Sequence, residues 1–259
     1  MESVLKYSDA NVKLKKLYRH VRVSEWTTDG RRVYSLDLLS GWSCPFSKAC
    51  LSKVHETGEF SKAGNPRVKL QDGKDNEFRC FSASLEALLP NVYRKRKHNF
   101  DTLRGLSLTD MTARMNSDIP RDAGIIRQHV GGDFFNSRYF LAWLKVATMN
   151  PDILFYAYTK SLRYWIQNRK LVNELDNVVL TASRGGRDDE LIDRHGLRES
   201  IVVFSEAEAE TRNLEIDHDD SHAADPYNRG KPFALLIHGV QPAGSEAAKA
   251  LQALKIVTS

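Results

Sequence analysis

Short apolar runs alternate with segments of helical period through most of this 259-residue chain. Runs rich in β-branched and aromatic residues predict strands at 31–41, 125–131, 152–159, 177–183, 200–205 and 233–239. The last five strands start every 23–33 residues, which is the period of a βα unit. The pattern therefore predicts an α/β fold with six parallel strands, because continuous apolar runs suit strands that are buried on both faces.

Three segments interrupt this rhythm without dividing the chain, so we expect one α/β domain over 1–259. They are an N-terminal extension at 1–32, a loop at 41–84 after the first strand, and a polar loop at 213–232. A helical pattern occupies 82–115, and Pro90 within it marks a break or a helix start.

Composition narrows the class of protein. With 41% hydrophobic and 27% charged residues the chain can bury a sizeable core, and no apolar run approaches the ~20 residues that span a bilayer. The N-terminus lacks the apolar segment of a signal peptide, and an odd count of three cysteines does not suit a disulfide framework. We therefore expect a cytoplasmic protein with no membrane contact.

The net charge of +5 includes two basic runs, at 13–20 and 93–98, each with an aromatic residue inside it. Such runs are typical of nucleic-acid contacts, where cations neutralise phosphates and aromatic rings stack on bases. They are also typical of solvated helix faces, and the modest charge balance favours that interpretation. Nucleic acid is thus a candidate partner beside a small-molecule or nucleotide substrate, and the oligomeric state is left open.

All three cysteines, Cys44, Cys50 and Cys80, lie in or beside the loop that follows the first strand. Three thiolates suit a [4Fe–4S] cluster with one open iron, or a zinc site completed by a histidine or water. Three small buried apolar side chains are the alternative, because free cysteine is among the most buried residue types. We favour the metal or cluster interpretation.

Polar residues follow every predicted strand, at the edge where parallel sheets bind ligands. Gly131 and Gly132 allow close approach to the backbone, and Asp133 can accept an ammonium group or cap the following helix. Basic residues after the next strands can grip a carboxylate or phosphate. The predicted set is catalytic Tyr158, Lys160 and Arg184, with cofactor-binding Gly131, Gly132, Asp133, Thr181, Ser183 and Ser205.

The segment 217–222, with the sequence DHDDSH, is the densest group of hard metal ligands in the chain. Asp and His together can bind a divalent metal for hydrolysis. A solvated acidic turn is the default for such a loop, and covering the ligand-binding edge or ordering a substrate are further alternatives.

The order of these features resembles the core of the radical S-adenosylmethionine enzymes. That family has a cluster-binding cysteine loop after the first strand and a Gly-Gly-Glu-type motif after the second. This chain has its cysteine loop and Gly131-Gly132-Asp133 in those places, although its cysteines follow C-x5-C with a distant third rather than the compact family spacing. The resemblance implies a parallel (βα)6 partial TIM-type barrel, a [4Fe–4S] cluster and S-adenosylmethionine.

Along most of its length the chain also resembles the bacteriophage gene product 88 family. The similar segments are GWSCPFSKACLSKV, FRCFSAS, NVYRKRKHNFDTL, HVGGDFFNSRYFLAW, FYAYTKSL, LTASRGGRDDELI, EIDHDDSHA and IHGVQPAGSEAAKAL. This resemblance implies a phage or prophage origin and a location inside the bacterial host cell. It implies no reaction.

Together these observations predict a phage-type iron–sulfur enzyme, similar to radical S-adenosylmethionine enzymes, that modifies a nucleotide or nucleic acid. One rival hypothesis is a divalent-metal hydrolase or nuclease that uses the Asp/His-rich loop. The other is a non-catalytic protein that binds nucleic acid or a host component through its basic runs.

Overall fold

The structure is a computed structural model that describes residues 3–257, with side chains described as far as residue 254. Residues 1–2 of the predicted N-terminal extension lie outside the described residues. The strands are β1 Ser8–Asp9, β2 Arg32–Leu36, β3 Ser52–Phe60, β4 Pro66–Asp72, β5 Ala123–Gln128, β6 Leu154–Thr159, β7 Val178–Ser183, β8 Glu199–Val203 and β9 Phe233–Leu236. The predicted α/β class is confirmed.

Seven of these strands form one sheet, in the order β1-β2-β5-β6-β7-β8-β9. β1 runs antiparallel to β2, and every other neighbouring pair is parallel. The six parallel strands are the six that the apolar runs predict, and they lie side by side in chain order. Parallel neighbours need long crossover connections, which the intervening helices provide.

The helices are α1 Phe81–Leu88, α2 Pro90–Arg104, α3 Leu108–Ser117, α4 Ser137–Met149, α5 Leu162–Gln167, α6 Arg169–Glu174, α7 Glu190–His195, α8 Glu206–Thr211, α9 Ser221–Ala224 and α10 Glu246–Val257. Two 3₁₀ segments, Leu14–Arg19 and Ser24–Gly30, precede β2. Pro90 starts α2, as one of its two sequence interpretations predicts, because proline suits the first turn of a helix.

The two faces of the sheet have different covers. Alternate strand residues such as Ile126, Phe155 and Leu180 belong to a core that also contains side chains of α3 to α7. The intervening residues, such as Ile125 and Val179, pack on the opposite face. That second core is completed by Leu14, Leu17 and Val23 of the N-terminal extension and by Ala223 and Ala224 of α9. The sheet is therefore buried on both faces, with crossover helices on one of them.

Two parts of the β structure were not predicted from the sequence, and α9 lies in the segment 213–232, which is predicted as a loop. β1 is only two residues long, which is too short for a periodic signal. β3 and β4 form an antiparallel hairpin inside the 41–84 loop, where the sequence analysis has only a polar interval. Most of the hairpin side chains are exposed or half-buried, so the apolar alternation that marks a buried strand is weak there.

Arg198 fastens the 213–232 loop to the sheet. Its side chain is buried, and Nη1 donates to the carbonyl oxygens of His222 and Asn228 at 2.8 Å each. Nη2 donates to Thr181 Oγ1 at 2.7 Å and to the Ala223 carbonyl at 3.1 Å. Burial lowers the pKa of Arg198 to about 10, which leaves the guanidinium charged at neutral pH. One residue thus satisfies acceptors on a strand and on the loop.

We expect Arg198→Met to lower the free energy of unfolding by about 3–5 kcal/mol, because several buried acceptors lose a charged donor together. Urea denaturation measures this loss. Arg212→Met is the matched control: its guanidinium is half-exposed and pairs with Glu208 on the same helix surface. The control should change stability by less than about 1 kcal/mol. Equal losses in the two variants would contradict this role of Arg198.

Candidate functional site

A cavity of about 660 Å³ lies at the carboxyl ends of the parallel strands. Residues after β2, β5, β6 and β7 line it, together with side chains near β8 and β9. Nine of the twelve residues predicted for the site border this one cavity: Cys44, Cys50, Cys80, Gly131, Gly132, Asp133, Tyr158, Lys160 and Ser183. The sheet therefore places at one edge groups that are up to 139 positions apart in the chain (from 44 to 183). This agrees with the prediction that residues following parallel strands gather at one edge of the sheet.

The three cysteines border the cavity, two from the loop after β2 and one immediately before α1, and all are free. Cys44 lies in the turn after β2, where the Gly41 backbone N–H donates to its sulfur at 3.4 Å. Cys50 lies two residues before β3, and its sulfur lies 3.3 Å from Ser47 Oγ. Cys80 directly precedes α1, whose N-terminal end favours negative charge.

Burial dominates the protonation of two of these thiols. It raises the pKa of Cys44 well above the ordinary value, and the negative charge of Asp133 adds to the effect. Burial raises the pKa of Cys80 to about 12, with Cys50 as the next contribution. Both groups are therefore neutral thiols at pH 7 in the protein alone. Only a cation or cluster placed against the sulfurs would stabilise their thiolate forms.

Within residues 3–254, no group of three or more His, Cys, Asp or Glu side chains is gathered closely enough to hold a single metal ion. The three sulfurs share a cavity wall without meeting at one point. The cysteines are thus neither an assembled mononuclear site nor three unrelated core residues.

Asp133 is buried and held by three donors. Thr159 Oγ1 donates to Oδ1 at 2.6 Å, the Phe134 N–H donates to Oδ1 at 2.7 Å, and the Lys160 N–H donates to Oδ2 at 2.8 Å. Burial raises the pKa of Asp133, and these hydrogen bonds oppose that shift. The helix-capping alternative is wrong, because Asn136 caps α4 by accepting from the Tyr139 N–H at 2.8 Å.

The glycines before Asp133 serve close packing. A Cβ at Gly131 would lie 2.1 Å from Ser82 Oγ, and Gly132 has φ +96° with a Cβ position 2.6 Å from Ser43 Oγ. Only glycine fits such a positive φ and such contacts without displacement. The pair lets the segment after β5 lie directly against the cysteine loop and α1.

A buried polar network supports this contact from behind. Glu86 Oε1 accepts from Arg96 Nη1 at 3.0 Å and from Ser40 Oγ at 2.7 Å. Arg96 Nη1 also donates to Ser82 Oγ at 2.6 Å. Arg96 is 4% exposed, so the basic run at 93–98 is partly an internal element of the protein. The sequence alone did not distinguish this arginine from its solvated neighbours.

The Lys160 side chain is hydrogen-bonded to the end of β7 and to the residue that follows it. Its Nζ donates to Ser183 Oγ at 2.6 Å and to the carbonyl oxygens of Ser183 and Arg184 at 3.0 and 3.2 Å. The N–H groups of Gly185 and Gly186 are likewise occupied by the Asp189 carboxylate, at 2.8 and 2.9 Å. The predicted anion grip is therefore filled by the protein's own acceptors and by Asp189.

Three predicted site residues lie away from the cavity. Arg184 pairs with Glu199, and also with Asp193 at 2.8 Å. Thr181 accepts from Arg198, as described above, and Ser205 caps α8 by accepting from the Glu208 N–H at 3.1 Å. Each of these residues has a structural contact that explains its position.

The Asp/His-rich loop forms the far wall of the cavity. Asp220 is fully buried, pairs with Arg127, and accepts from Lys13 Nζ at 2.7 Å and from Tyr156 Oη at 3.0 Å. Asp217 is buried as well and accepts from Tyr158 Oη at 3.0 Å. These carboxylates are neutralised within the protein, so they are not free ligands for a divalent metal.

Arg127 is a cavity residue that the sequence analysis did not select. Its guanidinium lies over the Tyr158 ring at 5.1 Å and pairs with Asp220. The available signal was a charged residue inside an otherwise apolar strand, since a buried charge is retained only with a partner.

The fold and cavity define a mixed α/β protein with a cysteine-lined site at the carboxyl ends of its strands. The sequence profile described as Gene product 88 matches residues 6–255, and the chain belongs to that family. It is similar to the Gene 88 protein of Mycobacterium phage L5, at 36% identity over 31% of this chain and 38% of the relative. It is also similar to the Gene 88 protein of Mycobacterium phage D29, at 30% identity over 36% of this chain and 44% of the relative.

The chain thus spans less than half the length of these two phage relatives in the matched segments. No solved structure matches it. The predicted resemblance to the bacteriophage family is confirmed, whereas these relatives carry no name that points to radical S-adenosylmethionine chemistry. No helix in the described residues is both long enough and apolar enough to cross a membrane.

We expect Asp133→Asn to lower the free energy of unfolding by about 1–3 kcal/mol. An amide places an NH₂ group opposite at least one of the three donors, so one buried donor loses its acceptor. Thermal or urea denaturation measures the loss. Asp152→Asn is the control, because the side chain of Asp152 is 69% exposed and makes a surface ion pair with Arg31. If the two variants are equally stable, the donors around Asp133 are not held as described.

A second expectation concerns His222, whose Nδ1 lies 3.7 Å from Asp217 Oδ1 and whose Nε2 lies 3.0 Å from Glu215 Oε2. Asp217, with Glu215 adding to it, outweighs burial and raises the pKa of His222 to about 9. The unfolded value is about 6.5. This histidine therefore stabilises the fold fully below about pH 6.5, and the contribution is lost as the pH rises through about 9.

His222→Gln removes that contribution. We expect the stability difference between the wild-type protein and the variant to be larger at about pH 6 than at about pH 10, measured as urea midpoints. A difference that is constant over this range would mean that the imidazole is not held in its charged form.

Proposed function

We propose that this protein is an iron–sulfur enzyme in which Cys44, Cys50 and Cys80 bind a [4Fe–4S] cluster, with the fourth iron facing the cavity. The reaction would be of the radical S-adenosylmethionine type, with a nucleotide or nucleic acid as substrate. The observation that carries the proposal is that three free cysteines, two from the loop after β2 and one immediately before α1, border one cavity at the carboxyl ends of the strands.

The arrangement of the sulfurs favours a cluster over zinc. Zinc requires its ligands at about 2.0–2.3 Å from a single ion, so its cysteines must converge. The described side chains include no group that converges in this way. In a cluster each cysteine binds a different iron, so the sulfurs stand farther apart around a larger object. The three cysteines border a cavity of about 660 Å³, which leaves room for such an object.

The sheet supports a partial (βα)6 barrel of TIM type. Its six parallel strands follow chain order, and the crossover helices α3 to α7 pack on one face. On the other face, one core contains both Val33 of β2 and Phe233 of β9, from the two ends of the parallel part. Residues at the carboxyl ends of the strands border the cavity, as they do in barrels of this type.

The cluster, when bound, would supply single electrons and an open iron for a co-substrate. The chain's own residues would orient that co-substrate. Asp133 Oδ2 has one protein donor and can accept a second, so it is the acceptor we assign to the ammonium group of S-adenosylmethionine. Tyr158 and Lys160 border the remaining space, where they exclude water and position the substrate.

The rival hydrolase hypothesis has less support. A hydrolytic metal needs open carboxylate ligands, whereas Asp217 and Asp220 accept from tyrosines, Arg127 and Lys13. The binding hypothesis draws on the basic runs alone and leaves the cysteine-lined cavity without a role.

The test is the iron and sulfide content of protein purified without oxygen. We expect about four irons and four sulfides per chain, with a visible absorption band. Replacement of all three cysteines by serine should remove both, since serine keeps the shape and loses the thiolate. Ser200→Ala is the matched control, because Ser200 is buried, its Oγ has no hydrogen-bond partner among the described residues, and it does not border the cavity. Circular dichroism verifies that each variant folds.

Zinc without iron in the wild-type protein, or iron retained by the triple serine variant, would overturn the cluster proposal. Equilibrium dialysis then tests the reaction type on the loaded protein. Binding of S-adenosylmethionine supports the radical mechanism, and a loaded protein that binds none overturns it while the cluster stands.

A further inference from the structure

We propose that a basic cleft beside the cavity binds the phosphate groups of the substrate. The basic cleft is a depression of about 440 Å³ lined by Lys15, Lys16, Arg19, His20 and Asp219. The substrate is then a nucleotide or a single-stranded nucleic acid, with its phosphate in the cleft and its reacting part in the cavity. The placement of the reacting part in the cavity rests on the proposed function.

The first 3₁₀ helix, Leu14–Arg19, builds the cleft by burying one side of itself. Leu14 and Leu17 are three residues apart and lie in the second core, which the N-terminal extension and α9 complete. Side chains at i and i+3 superpose in a 3₁₀ helix, so the residues between them point elsewhere. Lys15, Lys16 and Arg19 are accordingly exposed. Their positions depend on the packing of the two leucines and not on local propensity.

The charge of the cleft is not neutralised. Lys13, on the same segment, pairs with Asp220 at 2.7 Å. Lys15, Lys16 and Arg19, in contrast, form no ion pair with any side chain that the structure describes. Their positive charges therefore face solvent, with Asp219 as the single carboxylate lining the cleft.

The remaining polar groups also leave room for an anion. Burial acts to raise the pKa of Asp219, but hydrogen bonds from Ser221 and the charges of His20 and Lys16 lower it. Asp219 Oδ1 accepts from the Ser221 N–H at 3.1 Å, so part of the hydrogen-bonding capacity of this carboxylate is taken up within the loop. His20 Nδ1 is buried and has no hydrogen-bond partner among residues 3–254. It is available to a bound oxygen.

The cleft and the cavity share their walls. Asn11, Val12 and Lys13 border the cavity, whereas the cleft begins at Lys15 on the same segment. On the facing loop, His218 and Asp220 border the cavity and Asp219 between them borders the cleft. One or two residues of chain extend at most about 7 Å. The cavity and the cleft are therefore bordered by neighbouring residues of the same two segments.

Phosphate is the chemistry that this set of donors recognises. Lysine provides a compact positive charge, and arginine a forked donor that matches phosphate oxygens. A single-stranded backbone or a mononucleotide carries the same group, so both are sources of the ligand. Affinity that depends on such contacts falls steeply as salt concentration rises.

The experiment measures how tightly the 259-residue protein binds two probes. Fluorescence anisotropy measures the binding of a labelled single-stranded oligonucleotide, and calorimetry measures the binding of adenosine monophosphate. The test variant is Lys15→Gln/Lys16→Gln/Arg19→Gln. The matched control is Lys145→Gln/Lys170→Gln/Arg104→Gln, which removes the same charge from exposed side chains outside both basic runs. Iron content is measured on every sample, so loss of the cluster is recognised separately from loss of phosphate binding.

We expect the cleft variant to bind at least about tenfold more weakly, with a salt slope reduced by up to about two units, and the control to change less than about twofold. Weaker binding of adenosine monophosphate by the cleft variant identifies a mononucleotide site. Weaker binding of the oligonucleotide alone identifies a site for the backbone of a nucleic acid. Equal weakening in both triple variants, or no binding by the wild-type protein, overturns the inference. Phosphate binding by a protein that takes up no iron would sustain the cleft and contradict the cluster.

Discussion

The pairing of the buried Asp220 carboxylate with its partners is the interaction on which the cavity end of the sheet depends. Asp220 is fully buried and is held by Lys13 from the N-terminal extension and by Arg127 and Tyr156 from the sheet. A buried charge that loses its partners is strongly destabilising, so these three parts of the chain must fold against one another. Lys13 and Asp220 border the cavity, and residues close to them in the chain line the basic cleft, so both depend on this contact.

The cysteine side of the cavity is organised by a different constraint, which is close backbone packing. Gly131 and Gly132 allow the segment after β5 to contact Ser82 and Ser43, and the network of Glu86 and Arg96 supports that contact from behind. The cysteine loop is further tied to the segment after β7 by Ala49, whose N–H donates to the Gly185 carbonyl at 2.9 Å. Sulfurs on a loop of more than 40 residues are positioned in this way without regular structure at Cys44 or Cys50.

Membership of the Gene product 88 family and the chemistry of the cavity are complementary kinds of information. The family gives a phage setting and no reaction. The cysteines of the cavity are the basis of the proposed reaction class, and the unpaired cations of the basic cleft are the basis of the proposed substrate class. Both sites border the Asp/His-rich loop, whose carboxylates are structural partners of lysine, arginine and tyrosine. The loop therefore forms part of the wall of both the cavity and the basic cleft.

The sequence by itself determined the six parallel strands, most helices and the edge of the sheet at which the cavity lies, because these depend on local periodicity and on a general rule for strand ends. It also selected nine of the residues that border the cavity. Only the tertiary structure decided that Arg184 and Thr181 are bound elsewhere, that Arg96 is buried, and that Arg127 faces the cavity. These outcomes depend on which distant group neutralises a charge or accepts a hydrogen bond, and no local pattern in a single sequence records such a pairing.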